Sequence, residues 1–193
     1  MKNRIIAFIF TVAALTAPAF AQTAQLPAPS PIEKELAARA SNVDEITLDK
    51  NTLAFASRFM NGKDKDKTAT KQLIDGLDGI YVRDYEFDKE GQFTTEQIEQ
   101  LRAHYVSAEW SSIVREREHN GRESTDVMVK IVNGKTVGMF ILDVEPKEVS
   151  IVLILGPIRL EDLNKLKGIS GLDGALGGVE FNTKAPDKKS GDQ

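Results

Sequence analysis

Four carboxylates stand at alternate positions in the run Asp84, Glu86, Asp88 and Glu90. Alternation in an extended chain puts side chains on one face. Oxygen-rich spacing of that kind is what a hard cation needs, and a pair such as Glu86 and Asp88 is what a carboxylate-dependent hydrolase needs. The run does not complete a calcium loop. Counted from Asp84, the sixth position is Lys89 where the sharp turn wants glycine, and the twelfth is Thr95 where the metal wants glutamate. Asp64 and Asp66 fail the same test, with Ala69 at the sixth position. A solvated strand end accounts for both groups without chemistry.

The remaining candidates are thinner. Two histidines, His104 and His119, are too few for a zinc site without other ligands. Ser111 and Ser112 lie near His119, but no G-x-S-x-G elbow surrounds them. Arg115, Arg117 and Arg122 alternate with Glu116, Glu118 and Glu123. That pattern is a charge-balanced edge rather than the net positive stripe that nucleic acid requires. Gly168, Gly171, Gly174 and Gly177 recur every third residue but form no dinucleotide loop. Without cysteine there is no disulfide, thiolate ligand or thiol nucleophile. No catalytic, cofactor-binding or metal-binding residue is therefore assigned. What remains is an aromatic face: Tyr81 and Tyr85, with Arg83 between them and Phe87 beyond, on one side of a strand. Such a face recognises peptides or glycans, and packs equally well beneath a helix.

The elements that hold these residues can be read from period. Ile32 to Ala40 is a short helix with Pro31 at its first turn. Asn51 to Met60 and Thr68 to Leu77 carry helical stripes, the first stopped by Asn61-Gly62. Ile80 to Phe87 is rich in β-branched and aromatic residues and reads as strand 1. Thr94-x-x-Gln97 is a capping box for a helix with Ile98, Leu101 and Tyr105 on one side. Four strands follow: Trp110 to Glu118, Asp126 to Val132, Thr136 to Val144 and Val149 to Leu155, turned at Asn120-Gly121, Asn133-Gly134 and Glu145-Pro146-Lys147. A last short helix carries Leu160, Leu163 and Leu166 and ends at Gly168. The expected class is α+β, in the order α-α-β-α-β-β-β-β-α, with a five-stranded antiparallel sheet ordered 2-3-4-5-1 and helices packed on it. Strands 4 and 5 are apolar on both faces: Met139 and Ile141 alternate with Phe140 and Leu142, and Ile151 and Leu153 with Val152 and Ile154. Helices on both faces explain this. An apolar patch offered to a partner, with Met139 and Phe140 in it, is the alternative.

The chain begins with a charged Lys2 and Arg4, an apolar Ile5 to Leu15 and a small-x-small site at Ala19-Phe20-Ala21. That order reads as a cleavable export signal with Gln22 as the new start. The apolar stretch is shorter than the about 20 residues that span a membrane, and no later segment is long enough. The expected organisation is a signal at residues 1–21, a proline-rich spacer and short helix at 22–42, a domain at 43–169 and a polar tail at 170–193. Net charge is −4, and −6 once Lys2 and Arg4 leave with the signal. An acidic chain of this kind is no natural partner for nucleic acid.

The stretches LDKNTLAFASRFM, GLDGIYVRDYEFDKEGQF, AEWSSIV and VNGKTVGMFILDVEPKEVSIVLILGPIRLEDLNKL resemble a family of exported bacterial proteins catalogued as domain of unknown function 4252. The resemblance runs from about Leu36 to Ile169. It implies fold and compartment, periplasmic or secreted, and transfers no functional residue. The reading favoured by the residues is a non-enzymatic module that binds an envelope protein or peptide. A hydrolase using Glu86 and Asp88, and a structural protein that self-associates through its sheet as a homo-oligomer, are the alternatives.

Overall fold

Asn133 and Gly134 both adopt positive φ, at 52° and 73°. A two-residue loop between Val132 and Lys135 needs that geometry, because it matches the right-handed twist of the strands it joins. The computed structural model describes residues 26–59, 65–118, 123–159 and 162. The elements run α1 (Pro31–Ala37), β1 (Asn42–Asp49), α2 (Lys50–Ser57), α3 (Lys65–Gly76), β2 (Gly79–Glu86), α4 (Thr95–Tyr105), β3 (Trp110–Arg117), β4 (Ser124–Val132), β5 (Lys135–Glu145) and β6 (Glu148–Leu155).

The sheet has six strands, all antiparallel, in the order β1-β2-β6-β5-β4-β3. This corrects the five-stranded sheet ordered 2-3-4-5-1, and the element order expected with it. The strand overlooked is β1, which pairs with β2 from Asn42↔Glu86 to Asp49↔Gly79. Its signal is weak for a physical reason. It is an edge strand with only Ile46 and Leu48 half-buried on its inner face, and Asp44, Glu45 and Asp49 depress its β-propensity. The final helix expected at Leu160, Leu163 and Leu166, the turn at Asn120-Gly121, the export signal with Ala19, Ala21 and Gln22, and the glycine-rich tail all lie outside the described residues.

Helices cover both faces. On one, Leu53 of α2, Ile74 of α3 and Leu77 just after α3 pack with Ile158 over Ile80, Val82, Met139, Ile141, Val152 and Ile154. On the other, Leu36 of α1 and Ile98, Leu101 and Tyr105 of α4 pack over Tyr81, Tyr85, Phe140, Leu142, Ile151 and Leu153. The two-sided apolar character of β5 and β6 follows from their central place. Position along the sheet sorts residues into rows. On the α2/α3 face one row reads Ile46–Val82–Val152–Ile141–Val127–Val114, apolar from edge to edge. The helix ends are set locally as the sequence implied. The Thr94 hydroxyl accepts from Gln97 N at 3.3 Å, and the Gln97 amide oxygen accepts from Thr94 N at 3.1 Å. Among the described residues, no helix is long and apolar enough to cross a membrane.

Candidate functional site

The aromatic face proposed from the sequence lies inside the molecule. Tyr81, Arg83, Tyr85, Met139 and Phe140 are 1, 5, 1, 1 and 0 % exposed. What the sequence could not display is the residue on which the tyrosines of this face converge, Glu33 of α1. Its carboxylate accepts from Tyr81 Oη at 2.6 Å, Tyr105 Oη at 2.5 Å and Ser30 N at 2.6 Å, with Tyr85 Oη at 3.5 Å. Glu33 arrives there as the third residue of a capping box: Ser30 Oγ accepts from Glu33 N at 3.1 Å. A carboxylate held by that many donors can stay buried without a cation in direct contact. Burial, reinforced by the hydrogen bond to Glu33, pushes the Tyr81 phenol up to about 12. Burial raises Tyr85 and Tyr105 as well. Arg83 lies over the Tyr81 ring at 3.9 Å and donates to Ile46 O at 3.1 Å and Thr47 Oγ1 at 3.0 Å. This cluster fastens α1 to the sheet.

A second buried carboxylate, Asp126 on β4, has arginine partners from two elements. Arg102 of α4 bonds it directly, Arg115 Nε donates to it at 3.0 Å, and Arg117 Nη2 stands at 3.6 Å. Arg102 also pairs with Glu99 one turn earlier on α4. The antiparallel register places Arg115 directly opposite Asp126, and Arg117 two residues on along the same face. So the arginines that alternate with Glu116 in the sequence turn toward α4, and the glutamate turns away.

Arg117 also lines a cavity of about 370 Å³ at this end of the sheet. Its wall is Phe93, Ile98, Val144 and Pro146, with Thr95, Ser124, Glu90 and Glu99 among the polar groups around it. Arg117, Ser124 and Val144 are neighbours across three strands in one row. Thr95 and Glu99 come from the first two turns of α4, and Phe93 and Glu90 from the loop that precedes it. One half-exposed guanidinium, two carboxylates and two hydroxyls thus surround an apolar wall.

The acidic run divides at this point. Asp84 and Glu86 point to the α2/α3 face, and Asp88 and Glu90 follow in the loop. Glu90 reaches the cavity; Glu86 and Asp88 are not among its lining residues. On the α2/α3 face the row beyond the apolar one reads Asp44–Asp84–Ser150–Asp143–Thr125–Glu116. The next contains Glu86, Glu148 and Glu145. Burial holds the Asp84 carboxyl above its usual range against a 2.9 Å hydrogen bond from Ser150, and the Glu86 and Asp44 charges add to the rise. Burial also raises Glu148, with Asp84 adding. Glu123 is raised by Glu118 beside it. No group of three or more His, Cys, Asp or Glu among the described residues could hold a metal ion.

The other sequence candidates do not converge. His104 Nε2 stands 3.1 Å from Ala28 O and its ring meets Tyr105 edge-on. Ser111 and Ser112 are exposed on the edge strand β3. His119, Arg122, Asp64, the Asp66 side chain and the four tail glycines lie outside the described residues. Reading the sequence missed Phe93, Ile98, Val144 and Pro146 as a unit. The one local hint was a proline between Glu145 and Lys147, read only as a turn.

A family model described as Domain of unknown function (DUF4252) matches residues 38–166. The match includes every strand and the whole cavity lining, and α1 precedes it. No curated protein and no solved structure matches the chain.

Proposed function

The chain belongs to the family described as Domain of unknown function (DUF4252), and on that footing we propose that it is an exported, non-enzymatic module that binds another protein or a peptide. The observation that carries the reading is the cavity beside α4. Its volume falls within the range of ligand pockets, about 300–1,000 Å³. An apolar wall of Phe93, Ile98, Val144 and Pro146 suits a buried aliphatic or aromatic side chain. The Arg117 guanidinium with the Thr95 and Ser124 hydroxyls offers donors for backbone carbonyls, and Glu90 and Glu99 offer acceptors for amides. A polypeptide backbone presents both kinds of group. Arg117 and Glu99 stand in ion pairs with Asp126 and Arg102. Export is supported by Lys2 and Arg4, the apolar stretch that follows them and the Ala19-Phe20-Ala21 site.

Selection of a displayed random peptide library on the purified chain, followed by calorimetry, tests this. Selected peptides are expected to bind with Kd of about 1–100 μM. Thr95→Trp, which fills the cavity from an exposed position, is expected to weaken them at least about tenfold without lowering the melting temperature. Failure to select any peptide, or equal binding by Thr95→Trp, counts against the proposal.

A further inference from the structure

We infer that the segment seated in this cavity is cationic: an apolar side chain enters between Phe93, Ile98 and Val144, and lysine or arginine side chains next to it reach over the Glu145–Glu148 turn to the carboxylates on the opposite face. The inference rests on the cavity being the binding site. Pro146 is the link between the two features. It walls the cavity, and Glu145 before it and Glu148 two residues after it face each other across β5 and β6 on the other side of the sheet.

That other side is loaded with one sign of charge. Glu86 lies directly opposite Glu148, and Asp44 directly opposite Asp84. Like charges in directly opposed positions destabilise a sheet. Burial raises the Asp84 and Glu148 carboxyls, and the neighbouring carboxylates add to both rises. Glu86, Glu145 and Glu148 form no ion pair with a described lysine or arginine, and Lys147 alone among the four turn residues is positive. An acidic segment would be repelled by this field, and a neutral one would gain nothing from it. A basic one supplies the missing counter-charges while its apolar residue leaves water. Charge steering also speeds encounter and makes it salt-dependent.

Three labelled hexapeptides of one design test this by fluorescence anisotropy: acetyl-Lys-Lys-Leu-Phe-Lys-Lys-amide and its serine and glutamate counterparts. The lysine peptide is expected to bind the full chain at least about tenfold more tightly than the serine peptide at low salt, and the glutamate peptide least. Glu145→Gln with Glu148→Gln is expected to weaken the lysine peptide about fivefold and leave the serine peptide unchanged. Thr95→Trp is expected to weaken both. If the serine peptide binds as tightly as the lysine peptide and Thr95→Trp removes both, the cationic inference fails and the binding site stands. If Thr95→Trp alters no peptide's affinity, the site fails and the inference falls with it.

Discussion

Glu33 illustrates how a single side chain can fix a segment. Three phenols and a backbone N–H converge on it. Removing the carboxylate strands buried donors, and each buried unsatisfied group costs about 1–3 kcal/mol. Glu33→Ala is therefore expected to lower unfolding free energy by at least about 3 kcal/mol in urea titrations. Tyr85→Phe, which loses only the 3.5 Å contact, should cost less than about 1 kcal/mol. Equal losses for the two variants would mean that the donors do not act through this carboxylate. The pairing was not legible in the sequence. Tyr81 and Tyr105 lie 48 and 72 positions from Glu33, and nothing local tells a reader which side of the sheet α1 will cover. The strand alternation that groups Tyr81 with Tyr85 was legible, because it needs no knowledge of the partner.

Among elements, those whose ends are set by neighbours one to four residues away were readable. The Thr94–Gln97 box and the Asn133-Gly134 turn are of this kind. β1 was not, because its stability comes from pairing with a strand 30 residues and two helices later. The junction of β6 with α3 shows another long-range constraint. Gly156 has φ 115°, and a Cβ there would lie 2.8 Å from Leu77 Cα and 2.9 Å from Asp78 N. Both contacts are with backbone, which cannot step aside as a flexible side chain can. The same junction is tied by Asp78 N donating to Leu155 O at 2.8 Å and Gly156 N donating to Val137 O at 2.9 Å. Gly156→Ala is expected to destabilise by about 2–4 kcal/mol, combining left-handed strain with overpacking. A thermal melt within about 1 °C of the parent would show that the junction relaxes freely.

At the scale of the whole molecule, net charge of −4 understates the field, because carboxylates gather at one end of one sheet face. Asp84, Glu148 and Glu123 are all held above the ordinary carboxyl range. A raised folded-state value means that protonation favours folding. This contribution is complete below about pH 4, where the unfolded groups titrate, and is lost as pH rises through the higher folded values. The melting temperature is expected to climb as pH is lowered from 7.5 to 5, and Asp84→Asn is expected to flatten the climb. A parent curve that falls over this interval would place the controlling charges elsewhere. The sequence displayed these carboxylates but not their adjacency, which depends on Glu145, Glu148 and Glu86 meeting across three strands. Only the order of strands supplies that, and the order turns on β6. Last among the described strands in the chain, it lies between β2 and β5, near the middle of the sheet. Without β6 the strands form two ribbons, β1 with β2 and β3 with β4 and β5, that share no strand-to-strand pairing. The edges of β2 and β5 thus become one sheet through a single strand of eight residues that follows both of them in the chain.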